Sequence, residues 1–409
     1  MKEILQNRHV LYLFLCNFAI VFIGFGLFPV LPLYAAEYGA GPSFIGIFLA
    51  ITYIAISIGS ILTGQLSGRV SYKLLFAGSG LLGTVVLLLL ARADALWQVV
   101  TLTALVWFVG GVGLSVASVL VTLHTTSSER GRAFGLLALS SPLGALIGGL
   151  LVGRLVVGSG YPLMFVVLAA VWTMFPLLAL TRVRYEPSCE PSSVPGVHLD
   201  ASVSRPGFPF VILLVTVLLA SVTVSVGRMG ISMTMKDQLF SAGEVSSANA
   251  FGGLFTIPVT LMIGALSDKL GRKRFLFMGY VFAMGGTMLL IAARSPWQFW
   301  LVSSLVLASR SVITAMAPAY ATDLLSRRSL GRTLPVVGTM NWVSGAIGFA
   351  GSGYVIDAFG ATSLYGGTSI AAVLAGILLA FLPVSLKKVA STPPLPEASQ
   401  ALPEVCKYC

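Results

Sequence analysis

Two arginines, Arg228 and Arg310, stand inside long apolar stretches of the sequence, at residues 209–235 and 297–322. An arginine at the centre of a membrane helix costs about 2.5–3.5 kcal/mol, so each is expected to face an interior cavity and not lipid. None of the chain's 14 acidic residues lies in the middle of such a stretch. Because a guanidinium group offers a planar fork of donors that matches a carboxylate, the pattern predicts a binding site for an anionic or amphipathic solute.

The residues that accompany these arginines suggest the rest of the pocket. Ser221, Ser225, Arg228 and Ser232 are spaced by 4, 3 and 4 positions, which places them on one helical face. The predicted substrate-binding residues are Arg310, Arg228, Trp107, Ser225 and Asn341. Candidates for an apolar wall are Phe22, Phe25, Phe28, Met229 and Met233, although such residues are more often packing residues than ligand contacts. Two alternatives stay open: Arg310 could be held by backbone carbonyls in a structural role, and Arg228 could extend to the outer membrane interface.

The hydropathy of the chain defines the elements that must position these side chains. The sequence is 56% hydrophobic and 10% charged, whereas a soluble domain carries about 25% charge. A helix needs about 20 apolar residues to cross the hydrocarbon core of a bilayer. Twelve stretches meet this length: 9–36, 43–66, 74–91, 97–121, 132–156, 161–182, 209–235, 244–267, 274–293, 297–322, 333–357 and 364–386. Since lipid offers the backbone no hydrogen-bond partners, we expect an all-α membrane protein with twelve transmembrane helices.

A polar segment divides the chain into two similar parts. Residues 183–208 are rich in Pro and Ser and interrupt the apolar pattern, which is typical of a flexible linker. Residues on either side match at a constant offset of 200: Trp97-Gln98 with Trp297-Gln298, Gly131-Arg132 with Gly331-Arg332, and Ile147-Gly148 with Ile347-Gly348. The sequence therefore predicts two pseudo-symmetric six-helix bundles, residues 1–182 and 209–386, around a central cavity, followed by a tail at 387–409. We call these bundles the first half and the second half.

The distribution of basic residues predicts the orientation of the chain. If the N-terminus is cytoplasmic, 19 of the 25 Lys and Arg residues fall on the side of the termini, and the other six, inside the spans or near the opposite side, are Arg92, Arg154, Arg228, Lys236, Arg294 and Arg310. Cytoplasmic loops carry such an excess. We therefore expect a multi-pass protein of the plasma (inner) membrane with both termini in the cytoplasm. The net charge of +11 is explained by this topology, so the partners are the lipid bilayer and a small solute, not nucleic acid.

One loop motif resembles a known family. The segment Gly264-Ala-Leu-Ser-Asp268-Lys-Leu-Gly271-Arg272-Lys-Arg follows the eighth stretch, and residues 64–73 form a weaker copy with Gly68 in place of the aspartate. This segment resembles the signature loop of the major facilitator superfamily. The resemblance implies a latch at the cytoplasmic gate, with Asp268 near the positive end of a neighbouring helix. The residues of this latch are Gly264, Asp268, Gly271, Arg272, Asp323, Arg332 and Arg69. Alternatively, these are ordinary cytoplasmic charges with Asp268 for balance.

A second motif lies in the fifth stretch, where Pro142 precedes Gly144, Gly148 and Gly149. It is similar to the antiporter motif that members of the family carry in that span. Glycines at this spacing also let two helices approach closely, so helix packing is the alternative. Trp107 stands where drug antiporters of the family tend to carry an arginine. A proton is a possible coupling ion, and it would be carried by Asp323 or by another acid near a helix end.

The sequence shows no sign of an enzyme. His9, His124 and His198 are scattered, and the spans contain no P-loop or Ser-His-Asp order, so neither a catalytic site nor a cofactor is predicted. Cys406 and Cys409 have the spacing of a metal-binding pair, but no second pair lies nearby. The resemblance implies a secondary active transporter that moves a small organic solute by alternating access, with efflux as the expected direction. The alternatives are a uniporter or uptake carrier for an anionic metabolite and, in another class, a membrane receptor or scaffold that transports nothing.

Overall fold

The computed structural model describes residues 8–66, 69–125, 130–183, 207–325 and 330–383, without the side chains of residues 130, 264–270 and 330–335. All regular secondary structure in these residues is helical. In chain order the helices are α1 (Arg8–Leu27), α2 (Leu31–Glu37), α3 (Pro42–Leu66), α4 (Tyr72–Leu90), α5 (Leu96–Leu123), α6 (Arg130–Ala138), α7 (Ser140–Thr181), α8 (Phe208–Asp237), α9 (Ala242–Leu270), α10 (Arg272–Ala292), α11 (Pro296–Leu324) and α12 (Leu330–Ala380).

Ten helical segments of the described chain are long and apolar enough to cross a membrane. Two of them, Gly131–Thr181 and Val336–Ala380, have 51 and 45 residues, which at 1.5 Å per residue is more than twice the roughly 30 Å that one crossing needs. Each contains one non-helical glycine, Gly160 at φ 76° and Gly360 at φ 80°, where the chain turns in the left-handed region that glycine adopts readily. The all-helical membrane fold is as predicted, and these lengths leave room for the predicted twelve crossings.

Many apolar side chains lie on the outer surface of the bundle, where lipid would cover them. On α3, Ile47, Ile54, Ile58 and Ile61 are about half exposed, and their spacing of three to seven residues places them on one face. The opposite face carries Gly46 and other buried residues. A helix that is apolar all round fits a membrane protein, because lipid can cover the face that the protein leaves open.

The repeat in the sequence reappears in the helix starts. The Gln298 side chain accepts the backbone N–H groups of Arg294 and Ser295 at the start of α11, at 2.6 and 2.9 Å. Two hundred residues earlier, the Gln98 side chain accepts the N–H of Asp94 at 3.0 Å at the start of α5. These three bonds satisfy backbone N–H groups at the N-cap residue or just before it. The matching glutamines are therefore capping residues.

Two clusters of buried apolar residues correspond to the two halves. One is formed mainly by residues 10–183 and the other by residues 210–382. In the first cluster, the buried Trp172 donates from Nε1 to the Gly80 carbonyl at 2.9 Å. In the second, Tyr280 donates to Thr216 Oγ1 at 3.1 Å. The boundaries of the predicted bundles, linker and tail stay predictions, because residues 184–206 and 384–409 lie outside the described part of the chain.

At one end of the molecule, helix α3 of the first half packs tightly against α12 of the second half. The Ser43 N–H donates to Asp357 Oδ2 at 2.9 Å, so this carboxylate caps the start of a helix in the other half. A Cβ added to Gly46 would overlap the Phe349 carbonyl oxygen and would lie 3.0 Å from Gly353 Cα, and the first of these contacts is too close for any side chain. We call this end the closed end. We call the opposite end, where α7 ends at Thr181 and α8 begins at Phe208, the linker end.

A related contact joins α7 and α9 at the closed end. A Cβ on Gly149 would lie 2.6 Å from the Ser246 carbonyl oxygen, and one on Gly153 would lie 2.7 Å from Ser246 Cβ. Ser246 and Gly153 are each displaced by 200 residues from Gly46 and Gly353. The two helix contacts that hold the halves together at the closed end are therefore related by the internal repeat.

Candidate functional site

Two arginines of the second half point at one tyrosine of the first half. Arg228 on α8 donates a hydrogen bond from Nη1 to the hydroxyl oxygen of Tyr53 on α3. Arg310 on α11 donates from Nη1 to the same oxygen at 3.5 Å. Arg228 is 8% exposed, and Arg310 is half-buried. The phenol thus accepts from two cationic groups in the middle of the membrane-spanning region.

Aromatic rings surround the guanidinium groups. The Arg228 Cζ lies 3.6 Å from the centre of the Phe28 ring and 5.5 Å from that of Phe25. The Arg310 Cζ is also 5.5 Å from the centre of the Phe25 ring. The ring faces carry negative charge density and stabilise nearby cations. Asn249 on α9 donates to the Phe25 carbonyl at 3.0 Å, which holds this part of α1 in place.

These groups form one end of a cavity between the halves. Its volume is about 380 Å³. Its wall includes Tyr53, Arg228 and Arg310 together with the aromatic residues Phe25, Phe28, Trp107, Phe134, Trp172 and Trp342. Ser118, near the end of α5, and Ser141, near the start of α7, also line it. The cavity therefore extends from the arginines toward the linker end, while the closed end is sealed by the glycine contacts.

No carboxylate lines this cavity among the described residues. The acids whose side chains are described lie at or near helix ends: Glu37, Asp94, Asp237, Glu244, Asp323 and Asp357. Buried charges in proteins are normally paired with an opposite charge or a metal. Among the described residues, the polar and aromatic neighbours of the two guanidinium groups are the Tyr53 hydroxyl, the rings of Phe25 and Phe28 and, in a small cavity beside Arg228, the side chains of Ser232, Asn249 and Ser303. With no carboxylate among them, the cavity wall has an excess of positive charge.

The predicted substrate-binding residues fall into two groups. Arg310, Arg228 and Trp107 line the cavity. Ser225 and Asn341 are not among the described residues that line it. The Ser225 hydroxyl donates to the Ser221 carbonyl at 2.9 Å, and the Asn341 side chain accepts from the Ser221 hydroxyl at 3.3 Å.

The polar stripe on α8 was therefore assigned too broadly to the cavity. Ser221 and Ser225 face α12, where Gly348 comes so near that a Cβ there would lie 2.9 Å from Ser225 Cβ. Of the apolar candidates, Phe25 and Phe28 line the cavity, whereas Met229 and Met233 are buried in the packed core. Sequence spacing identifies a shared face but not the neighbour that covers it.

Several polar or aromatic residues of the cavity wall were missed from the sequence, among them Tyr53, Asn17 and Trp342. Tyr53 and Asn17 did carry a signal, because a phenol or a carboxamide inside an apolar membrane helix needs a polar partner. Trp342 carried none, since a tryptophan in a membrane helix is equally consistent with packing.

The glycines of the fifth predicted span lie at helix contacts. A Cβ on Gly144 would be 3.1 Å from Phe22 Cα, and one on Gly148 would be 2.9 Å from Gly26 Cα. Gly149 faces α9 in the second half, as described above. These distances give the glycines a packing role against α1 and α9. An additional role in antiport stays a prediction.

Part of the predicted latch is visible at the linker end. Arg272 donates from Nη1 to Asp323 Oδ1 at 2.8 Å and to the Ala319 carbonyl at 2.6 Å. This ion pair joins α10 to α11, two helices of the same half, so it does not bridge the halves in this structure. Gly271 precedes α10 at φ 91°, a conformation that requires glycine.

The other members of the latch do not show such a contact. Arg69 is exposed in the turn that follows α3. Gly264 lies on α9, in the stretch 264–270 for which the structure describes only the helical backbone. The side chains of Asp268 and Arg332 are likewise outside the described part, so the inter-half latch stays a prediction.

Comparisons with known proteins agree with this architecture. A family model described as Major Facilitator Superfamily matches residues 13–235 and again residues 213–406. Multidrug resistance protein MdtG of Citrobacter koseri is 26% identical over 314 residues, which are 74% of this chain and 76% of the relative. The protein of the same name from Enterobacter lignolyticus is 26% identical over 311 residues, 73% of this chain and 72% of the relative.

Solved structures share the fold. The peptide transporter POT in complex with sulfate superimposes with a TM-score of 0.71 at 15% identity, over 91% of this chain and 94% of that chain. A mutant of the same transporter in complex with alafosfalin gives a TM-score of 0.69 at 16% identity, over 91% and 93% of the two chains. Since the family model covers nearly the whole sequence, in two matches that follow its two halves, this chain belongs to the major facilitator superfamily of membrane transporters.

Proposed function

We propose that this secondary transporter exports small organic anions that carry an aromatic or other apolar group. The observation that supports this substrate class is the pair of arginines, Arg228 and Arg310, in a cavity wall that has no carboxylate among its described residues. An anion would supply the opposite charge that these groups lack. The aromatic wall would hold the apolar part of the molecule.

The energetics favour an anion over a neutral solute of the same shape. Arg228 is almost fully buried, so its charge has lost most of its hydration. A sulfonate or carboxylate that reaches both guanidinium groups forms charge-assisted hydrogen bonds, which are about twice as strong as neutral ones. A cation of the same size would be repelled by both arginines at short distance and low dielectric.

Alternating access would use the two halves as rigid units. In the present state the halves are in contact at the closed end, through Gly46 with Gly353 and Gly149 with Ser246, and the cavity extends to the linker end. Rocking the halves would separate these contacts and close the linker end. By the predicted orientation, the linker end is cytoplasmic, so this state would load solute from the cytoplasm. The predicted latch of Asp268, Arg272 and Arg332 would then stabilise the opposite state.

A proton remains the candidate coupling ion, and the geometry limits where it could bind. The described cavity wall offers no carboxylate to carry it. Asp323, in its ion pair with Arg272, and Glu37, at the end of α2, are the acids near the moving ends that we propose as carriers. Partial burial raises the pKa of Glu37 above its usual range, which eases its protonation.

Binding and flux with matched aromatic probes test this proposal. Purified protein in detergent is heated with p-toluenesulfonate, with the isosteric neutral p-toluenesulfonamide, and with benzylammonium. We expect a rise in Tm with the sulfonate alone, and loss of this rise in Arg310→Ala. Arg294→Ala is the matched control, because Arg294 is exposed at the closed end, away from the cavity.

Transport itself is measured as counterflow of labelled p-toluenesulfonate into proteoliposomes. Counterflow without a pH gradient shows exchange by a carrier, and acceleration by a gradient shows proton coupling. Binding without any flux would indicate a receptor or scaffold, and the transport proposal would then be rejected.

A second substrate class is favoured by the names of the relatives, which are multidrug resistance proteins. The largely aromatic wall of the cavity would also suit lipophilic drugs of varied shape. If benzylammonium raises the Tm of wild type and of Arg310→Ala equally, the cavity binds lipophilic cations and the arginines have a structural role; flux of the labelled cation into proteoliposomes then tests export.

A further inference from the structure

The Tyr53 hydroxyl is the point at which both cavity arginines converge. Tyr53 belongs to α3 of the first half, and Arg228 and Arg310 belong to α8 and α11 of the second. Among the described residues, these hydrogen bonds join the halves in the cavity wall itself, at a distance from the closed end. The phenol oxygen thus fills the place of an acceptor for both cations.

The ring of Tyr53 is held independently of its hydroxyl. Its centre lies 5.6 Å from that of Trp342 and 4.9 Å from that of Phe349, both on α12. Gly345 on α12 lies against the ring, and any Cβ at this position would overlap it. These contacts place the hydroxyl in front of the guanidinium groups, and they would survive its removal.

The remaining donors of Arg228 have little room for a ligand, because the cavity that Arg228 shares with Ser232, Asn249 and Ser303 has a volume of only about 20 Å³. One face of its guanidinium group is covered by Phe28 at 3.6 Å, and the residue is 8% exposed. Arg310 is more accessible. The phenol oxygen occupies the position to which both groups donate, so an anion oxygen that contacts both arginines there takes the place of the phenol oxygen.

We propose that the Tyr53 hydroxyl holds the place of the substrate anion in the empty transporter, and that the anion binds both arginines by displacing it. This inference rests on the proposed function. Displacement has a second consequence, since it removes hydrogen bonds that join the halves. Binding of the anion thereby weakens the present closed-end state, and the solute itself promotes the change of conformation.

Affinity measurements with Tyr53→Phe test the competition. The variant keeps the ring and its contacts with Trp342 and Phe349 but has no hydroxyl. Because a hydrogen bond to a charged group must otherwise be broken when the anion binds, we expect p-toluenesulfonate to bind about tenfold more tightly to the variant by isothermal titration calorimetry. Tyr354→Phe is the control, since Tyr354 is 64% exposed on α12, and it should leave the affinity unchanged.

Conformation without ligand is the second measurement. Spin labels at Asp94 and Leu239, which are exposed near the closed end in the first and second half, report the distance across it. In wild type, a population with longer distances should appear only on addition of p-toluenesulfonate. In Tyr53→Phe we expect this population without ligand. A ligand-free distribution identical to that of wild type would contradict the coupling.

The outcomes separate this inference from the function on which it rests. If the sulfonate binds wild type and binds Tyr53→Phe equally or more weakly, the hydroxyl is a spectator or a ligand of the substrate, and the displacement is refuted while the anion site stands. If the sulfonate binds neither protein, the anion proposal and the displacement both fail.

Discussion

Replacement of Arg228 by methionine is expected to leave the thermal stability of the empty protein nearly unchanged while abolishing anion binding. The charge of Arg228 is 8% exposed and has no described carboxylate beside it. Its burial costs several kcal/mol after relaxation of the surroundings. Two interactions of Arg228 offset this cost. The hydrogen bond to the Tyr53 hydroxyl stabilises by about 1.5–3 kcal/mol for a charged donor, and the contact with Phe28 by about 2 kcal/mol when desolvated.

These contributions nearly cancel, and methionine removes all of them while filling most of the space with a flexible apolar chain. We expect a change in the free energy of unfolding within about 2 kcal/mol, which for a chain of this length corresponds to about 2 °C in Tm. Breaking a buried ion pair by removing one partner would instead cost about 3–5 kcal/mol. Arg228→Lys should be less stable than Arg228→Met, because lysine retains the buried charge and loses the planar fork.

The assay is thermal unfolding in detergent with and without p-toluenesulfonate. At about 100 times its Kd a ligand stabilises wild type by about 2.7 kcal/mol, or about 3 °C here, and this shift should vanish in Arg228→Met. Arg294→Met serves as the exposed control. A loss of 5 °C or more in ligand-free Arg228→Met would mean that Arg228 has an anionic partner, and our reasoning on an unneutralised site would be refuted.

Three further perturbations concern the closed end. Gly353→Val should favour the state that is open at this end, because a side chain there would overlap the Pro42 carbonyl. A cysteine engineered at the closed end should then react faster with a membrane-impermeant maleimide. Unchanged labelling would argue against a gate. Asp357→Asn weakens the cap on Ser43, so labelling should rise less than in Gly353→Val, in keeping with about 1 kcal/mol for a helix cap. Glu37→Gln should raise the Tm at pH 8 and not at pH 4. Partial burial raises the pKa of Glu37, so this carboxylate destabilises the folded state only when it is ionised. An equal change in Tm at both pH values would exclude burial of the charge as the reason.

The chemistry of the site is distributed unequally over a symmetric scaffold. The repeat relates the closed-end contacts and the capping glutamines Gln98 and Gln298, so the two halves have equivalent helix contacts and helix caps. Both cavity arginines, however, come from the second half, whereas Tyr53 and the rings of Phe25 and Phe28 come from the first. An anion in the cavity would therefore be held by charges of one half and walls of the other, which links its binding to their relative position.

Much of the fold was predictable because membrane helices obey simple constraints. Lipid cannot satisfy backbone groups, so apolar stretches of about 20 residues must be helices. The offset of 200 residues predicted two equivalent halves. It even extends to the backbone, where Gly160 and Gly360 adopt the same left-handed turn. The absence of mid-span acids beside Arg228 and Arg310 was likewise a property of the sequence alone.

The partners of those arginines were decided only by the tertiary structure. Helical spacing shows which residues share a face, but it does not show which helix covers that face. For this reason Ser225, on the same stripe as Arg228, packs against α12 and not in the cavity. Tyr53 is separated from Arg228 by 175 residues and joins it only because α3 packs against α12, which in turn packs against α8. The sequence determined which charges must be buried, and the packing of distant helices determined which group meets them.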